Sequence, residues 1–349
     1  MLSRFFPNFR TDLVVDLGTA VTRVGLPGEG IVLEEPTLAA VDQSTRQILA
    51  GGCAVGHLAQ HMVGRTADSI EVAEPVRAGV VADYEIFEAM LRHFFAKARP
   101  SGSWGKPRVL VTIPGDITPV ERRAALNSTY RAGARQVLLL SKLKAAALGA
   151  GLPIAEPVAS MVCSIGAGST EVGVLSLAGL VSTHSIRAAG REMDQALADY
   201  LRRHFSLRVS RQSAERVRIE IGSARPLEEE QVRQIRGTDH VSGLPREALV
   251  ASEQVREALE EPLEKIIDAV RVTLDRLKPE LAADLMDQGV VLCGSGALLR
   301  GLDRLIAERT GLPVRLAEEP GTTVARGALI CLEHLERWQA LLEPGEYHG

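Results

Sequence analysis

Three glycine-rich turns carry the residues best suited to chemistry in this chain: Asp16-Leu17-Gly18-Thr19, Gly166-Ala167-Gly168-Ser169-Thr170 and Gly294-Ser295-Gly296-Ala297. Each follows a short apolar run, Leu13–Asp16, Ser160–Ile165 and Gly289–Leu292 respectively. A buried strand feeding a tight glycine turn presents backbone N–H groups, and glycine lets a phosphate oxygen approach closely. Hydroxyls at Thr19, Thr22, Ser169 and Thr170 offer further donors. One such turn is commonplace in a large α/β protein and reads as a plain strand end. Three of them, the first two in the same strand–turn–strand frame, point to two related halves facing each other across a nucleotide.

The remaining elements must hold these turns. Arg108–Ile113 reads as a buried strand stopped by Pro114-Gly115, Val120–Ala132 as a helix, Gln136–Leu140 as a strand, and Glu171–Leu177 as the return strand of the second turn. Strands alternating with helical patterns indicate an α/β architecture. The middle of the chain differs. Met193–His204 and Ser213–Ile221 are helical and charge-rich, and Leu227–Val241 is polar. Ser252–Leu277 places Val255, Leu259, Leu263, Ile266, Ile267, Val270 and Leu274 at the three- and four-residue steps of a long amphipathic helix. A half-matched capping box at Ser252 and Val255 opens it. In the tail, Leu335, Trp338 and Leu342 fit a short amphipathic helix.

A length of 349 residues suits two domains, or one large doubled one. With 46% apolar and 24% charged residues the chain is globular. Aromatics reach just 4%, so the cores rest on Leu, Val, Ile and Ala. The net charge of −4 argues against a dedicated nucleic-acid binder, which usually shows a strong basic excess. Cys53, Cys163, Cys293 and Cys331 form no C-x-x-C pair, which argues against a zinc site or disulfide framework and for a reducing cytoplasm. No apolar run is long enough to span a bilayer. The opening MLSRFFPNFR lacks signal-peptide features, so Met1 is expected in the mature chain.

The blocks DLGTAVTRV (16–24), GIVLEEPT (30–37), PVRAGVVADYEIFEAMLRHF (75–94), AAALGAGLPI (145–154), STEVGVLSL (169–177), AERVRIEIGSA (214–224), REALEEPLEKI (256–266) and GALLRGLD (296–303), in this order, resemble MreB, the rod-shape-determining bacterial actin homologues. The likeness covers nearly the whole chain. It implies an actin-like α/β fold, two lobes of duplicated ribonuclease H-like topology around an ATP cleft. Lobe I would take its core from 13–33, 75–145 and 320–340, with 34–74 as a small subdomain. Lobe II would take its core from 146–181 and 243–319, with 182–242 as a small subdomain. The implied cofactors are ATP and Mg2+. Asp16 would hold the metal through water. Gly18, Thr19, Ala20 and Val21 would form the first phosphate turn, and Gly166, Gly168, Ser169 and Thr170 the second. Glu215 and Arg218 would border ribose and adenine. Gly294, Ser295, Gly296, Ala297 and Leu298 would cover the nucleotide's other side.

Departures from the family pattern bear on catalysis. Val21 stands at a family Asn and Arg218 at a family Lys. More severely, Ser164 stands where an Asp introduces the second turn, and Ser141-Lys142-Leu143-Lys144 replaces Glu-Glu-Pro-Met. The catalytic Glu position is thus Lys142. A carboxylate can accept a hydrogen bond from the attacking water and align it. An ammonium has three donors and no acceptor. Two negative charges are lost and one positive is gained, which favours a polyphosphate even with a weaker magnesium site. The expectation is a bound nucleotide and impaired hydrolysis, with no intact catalytic residue. The alternative is a shifted helix start with another acid substituting, Glu171 being nearest in sequence.

Residues 1–12 read as a membrane-contact segment. Leu2, Phe5, Phe6 and Phe9 share helical spacing, with Arg4 and Arg10 on other faces. Pro7 confines any helix to a start near Arg4 or later. The alternative docks these phenylalanines on the protein body. Trp104 lies in a loop-forming stretch, RPSGSWGK (99–106), between Lys97, Arg99 and Lys106, and an indole favours the headgroup region. The family places a membrane-insertion loop here; the alternative folds Trp104 back on its own domain. The resemblance further implies a cytoplasmic protein, peripheral at the inner face of the cell membrane. Its filaments would govern cell shape by organising cell-wall synthesis. Its partners would be itself or an intact MreB-like paralogue, the membrane, and the cell-wall elongation machinery, with no nucleic acid. Competing readings are an active filament ATPase and a non-polymerising regulatory paralogue. Filament contacts at Glu228–His240 and near Asp42–Gln47 rest on the resemblance alone.

Overall fold

The computed structural model describes residues 12–100 and 105–343. Leu2, Phe5, Phe6, Phe9 and Trp104 lie outside the described residues. The chain divides into two compact units, the first running to Pro153 and resuming at Thr322, the second spanning Ile154–Gly321.

In the first unit β1 (Asp12–Leu17), β2 (Val21–Leu26) and β3 (Gly30–Pro36) form an antiparallel meander. β4 (Arg108–Ile113) lies parallel beside β1, and β5 (Gln136–Ser141) parallel beside β4. Every residue of β1 and β4 after the first is buried, which is why both read as continuous apolar runs rather than alternating ones. Helix α1 (Tyr84–Ala98) starts where the Asp83 side chain accepts from the Ile86 N–H. It buries Phe87, Phe94 and Phe95, so much of the scarce aromatic content sits in this core. Helix α2 (Pro119–Arg131) starts at a capping box: Thr118 Oγ1 accepts from the Glu121 N–H, and the Glu121 carboxylate accepts from the Thr118 N–H. Helix α3 (Lys142–Gly149) leaves β5 with no intervening loop. It crosses the C-terminal helix Thr323–Glu333 at glycines. A Cβ at Gly149 would overlap the Thr323 carbonyl, and one at Gly327 the Ala145 carbonyl. This close crossing holds α3 against that helix.

The second unit repeats that plan. β6 (Ser160–Ile165), β7 (Thr170–Ser176) and β8 (Gly179–Ile186) form an antiparallel meander. β9 (Val290–Cys293) lies parallel beside β6, and β10 (Val314–Leu316) parallel beside β9. The order β3-β2-β1-β4-β5 in one sheet matches β8-β7-β6-β9-β10 in the other. The shared frame at the first two turns therefore extends to whole sheets. Helices α4 (Gly190–Phe205), α5 (Arg211–Ile221) and α6 (Ser252–Asp275) complete this core with their apolar faces.

Three local expectations are corrected. Ser252 is the first helical residue of α6 rather than its cap. Ala251 occupies the cap position, and its N–H donates to Gln254 Oε1 at 2.9 Å. The Ser252 hydroxyl instead accepts from the Gln231 N–H at 2.8 Å. The polar stretch Leu227–Val241 contains a strand, Val232–Asp239, paired antiparallel with Pro245–Ala251. This hairpin buries little beyond Ile235 and Val250, so its sequence lacks the alternation that marks a half-buried strand. The described tail is α-helical over Leu335–Trp338 and forms a 3-10 turn over Gln339–Leu341. Leu342–Glu343 then pairs antiparallel with β5 as a sixth strand. Lys144 Nζ holds it, donating to the Leu341 carbonyl at 3.1 Å and to Glu343 Oε1 at 2.8 Å.

Glu35 at the end of β3 ties the sheet to its surroundings. It is buried, and its carboxylate accepts from Lys97 Nζ on α1 and from the His57 N–H at 2.8 Å. Burial pushes this carboxyl up, but the lysine and the His57 amide outweigh it and hold it below the ordinary value of 4.5. A depressed folded-state value contributes stability above the ordinary value, and that contribution is lost as pH falls through the folded one. Denaturant midpoints measured from neutral pH down to about pH 3 should therefore fall for the native chain. Glu35→Gln should be less stable at neutral pH and show a flatter acid dependence.

Candidate functional site

The first turn is built at the end of β1. Asp16 is buried, and the parallel register with β4 brings it beside Thr112. Thr112 Oγ1 donates to Asp16 Oδ1 at 2.8 Å and accepts from the Leu17 N–H at 3.3 Å. At Gly18 a Cβ would overlap the Val21 carbonyl, so the turn requires glycine. Thr37 braces it from β3's far end: its hydroxyl donates to the Gly18 carbonyl at 2.8 Å, and its N–H to the Ala20 carbonyl at 2.9 Å. Thr22, expected as a phosphate donor, is fully buried 2.9 Å from the Thr37 hydroxyl and belongs to this brace. Thr19 Oγ1 accepts from the Gly79 N–H at 2.8 Å, and Gly79 holds a left-handed φ of 77°. Neither Thr37 nor Gly79 stood out in the sequence, because each acts through one contact distant along the chain.

Lys142 opens α3 and is 9% exposed. Its Nζ lies against Gly79: a Cβ built there would sit 3.0 Å from the ammonium nitrogen. Among the described residues Lys142 Nζ has no hydrogen-bond or ion-pair partner. Lys144, two residues further along the same helix, is by contrast fully engaged with the tail.

The second turn joins β6 to β7. The Gly166 N–H donates to the Ser169 carbonyl at 2.9 Å. The carbonyls of Gly166 and Ala167 accept from the N–H groups of Gly190 and Arg191 at 3.1 and 2.8 Å, docking the turn on the start of α4. The Thr170 hydroxyl donates to the Ala188 carbonyl at 2.6 Å, so this expected ligand donor is spent on the fold. Ser164 pairs directly opposite Glu171, which is buried, so a carboxylate stands beside the serine. On α5, Glu215 is half-buried and Arg218 is buried. Arg218 Nη2 lies 3.5 Å from where a Cβ on Gly190 would stand, which places the guanidinium near the second turn. Arg218 Nε donates to Asp194 Oδ1 at 2.6 Å, and both side chains are buried. Burial pushes the Asp194 carboxyl up, against the pull of the guanidinium. Asp194 escaped the sequence reading; its signal is an acid set directly beside the buried Met193, Leu197 and Leu201 face of α4.

The third turn follows β9. Gly294 has a φ of 83°, and a Cβ there would overlap the Ile165 carbonyl at the end of β6. Gly296 and Ala297 are buried, while Ser295 and Leu298 face solvent. The parallel pairing of β6 and β9 brings the second and third turns to the same strand ends.

These cradles leave backbone where side chains cannot fit, and they suit a nucleotide's phosphates. Magnesium fits less well. Among the described residues no three His, Cys, Asp or Glu side chains are gathered closely enough to hold a metal ion. Asp16 already accepts from Thr112.

Doubled five-stranded sheets of this order, with glycine turns at the ends of β1, β6 and β9, define an actin-like fold. The likeness to solved structures agrees: MreB 5 of Spiroplasma citri, crystallised bound to AMPPNP and also to ADP, superimposes with a TM-score of 0.89 at 34% identity over 95% of this chain and 98% of that one. The family model described as MreB/Mbl protein matches residues 10–340. The cell shape-determining protein MreB of Escherichia coli strain K12 is 45% identical over 96% of this chain and 97% of its own length. The cell shape-determining protein Mbl of Bacillus subtilis strain 168 is 40% identical over 94% and 98%. The chain belongs to the MreB/Mbl family.

Proposed function

We propose that this chain is a cytoskeletal subunit that binds ATP through its glycine turns, assembles into actin-like filaments and contributes to cell shape by organising cell-wall synthesis, with hydrolysis impaired. Family membership across almost the whole chain supports the cytoskeletal role. The observation that carries the impaired hydrolysis is Lys142, a largely buried lysine where the family's catalytic carboxylate is expected. A donor-only group cannot accept the attacking water's proton or orient it by accepting a hydrogen bond. Asp16 remains the residue to which a water-held cation would attach. Glu215 and Arg218 take the ribose and adenine side, with Arg218 held still by Asp194.

The same reading places the filament on the inner face of the membrane, through residues 1–12 and the loop bearing Trp104. No helix among the described residues is long and apolar enough to cross a membrane. Lys97 is engaged with Glu35, so Lys106 and the N-terminal arginines carry the attraction to anionic lipid. High-speed sedimentation with ATP, with and without anionic vesicles, tests the proposal. Filaments should pellet from the pure protein and bring vesicles with them. Unchanged lipid binding after removal of residues 1–10 and replacement of Trp104 rejects the membrane contact. Assembly solely in the presence of an intact relative would instead mark a regulatory paralogue.

A further inference from the structure

Lys142 raises an electrostatic difficulty that the described residues do not resolve. Its side chain is 9% exposed and lacks a partner. It also occupies the first position of α3, where the helix dipole is positive and a cation is disfavoured. No acidic residue stands in that first turn. A cation with so little access to water gains from a paired anion. An anion beside Nζ would remove the difficulty, and the surroundings say where it would sit. Nζ lies against Gly79, whose N–H is bonded to Thr19 of the first phosphate turn. The ammonium and the turn therefore border the same spot.

We infer that the Lys142 ammonium is a direct ligand of the nucleotide's polyphosphate and replaces the charge of a divalent cation there, so that this chain binds ATP and ADP without a divalent metal. The inference rests on the nucleotide-binding reading above. Three features of the chain support it together. Metal-holding clusters are absent among the described residues, Asp16 is engaged by Thr112, and lysine in place of glutamate at 142 turns one negative charge into one positive, a change equal to the charge of a divalent metal. A lysine also serves phosphate as a point charge, needing no bidentate geometry.

The test is the affinity of the purified full-length chain for ATP and ADP, measured by calorimetry in magnesium buffer and in EDTA. The native chain should bind in both, with affinities within about threefold of each other. Inorganic tripolyphosphate should compete in EDTA. Lys142→Met should weaken binding in EDTA by about tenfold or more, as expected for loss of a hydrogen bond from a charged group. Lys142→Arg, which keeps the charge, should retain binding. Lys142→Glu should make binding depend on magnesium. Thermal unfolding without nucleotide checks that each variant folds, and if Lys142→Met does not, Lys142→Gln against Lys142→Arg makes the same comparison. A native affinity that collapses on removing magnesium overturns the inference while leaving nucleotide binding intact, as does a folded Lys142→Met that binds normally in EDTA. No binding in either buffer overturns the nucleotide-binding reading itself.

Discussion

Restoring two acids, Lys142→Glu with Ser164→Asp, is expected to raise phosphate release from ATP on the order of a hundredfold above the native chain, the scale of a positioned base. The reasoning is local. Lys142 sits at the mouth of α3, whose place is fixed by the glycine crossing with helix Thr323–Glu333, so a glutamate there inherits a defined position. Its carboxylate can accept a hydrogen bond from water, which the ammonium cannot. The second exchange places an acid opposite Glu171, in a strand position already next to a buried carboxylate. Two facing carboxylates repel unless a cation lies near. The double variant should therefore need magnesium for turnover, and each single change should recover little. Steady-state phosphate release with and without magnesium reads both points. A double variant that binds ATP yet releases no more phosphate than the native chain would show that the missing acids are not what limits hydrolysis.

The second large effect concerns stability. Arg218→Met should cost about 3–5 kcal/mol at neutral pH, because it leaves Asp194 buried without its cation. The sign with pH follows from the direction of the Asp194 shift. Its carboxyl is already raised by burial, and loss of the guanidinium raises it further. A raised folded-state value favours the fold below the unfolded value, and that advantage is lost as pH rises through the folded one. Arg218→Met should thus recover stability on acidification. The double variant Asp194→Asn, Arg218→Met should regain most of the loss at neutral pH, since a neutral amide replaces the stranded charge. Denaturant unfolding of the native, single and double variants gives the coupling directly. Equal stability of native and single variant would show that the pair contributes nothing.

Much of the fold was legible because buried strands announce themselves. LVVDL, RVLVTI and SMVCSI are covered on both faces and read as unbroken apolar runs, with ends within a residue or two of those observed. The doubled topology was visible only at the turns; sheet order depends on pairings between segments about a hundred residues apart. The hairpin at Val232–Asp239 and Pro245–Ala251 was hidden, since a mostly exposed pair of strands leaves no period-two pattern. The two-residue tail strand was hidden too, because its identity comes from Lys144 and from the free edge of β5 rather than from its own residues. At the site the glycines were readable and the supporting residues were not. Thr22 and Thr170 read as ligand donors, and their hydroxyls bond to Thr37 and to the Ala188 carbonyl. Thr37, Gly79, Thr112 and Asp194 act through partners remote in sequence. Lys142 could be identified as a departure from the family pattern, but its burial without a partner required coordinates.

The most direct measurement follows phosphate release and sedimentation in the same ATP-containing sample of the purified native chain. The predicted result is pelleted filament with phosphate release no faster than in a protein-free control. Phosphate release well above that control and abolished by Asp16→Ala would contradict it, as would a chain that binds ATP but never pellets.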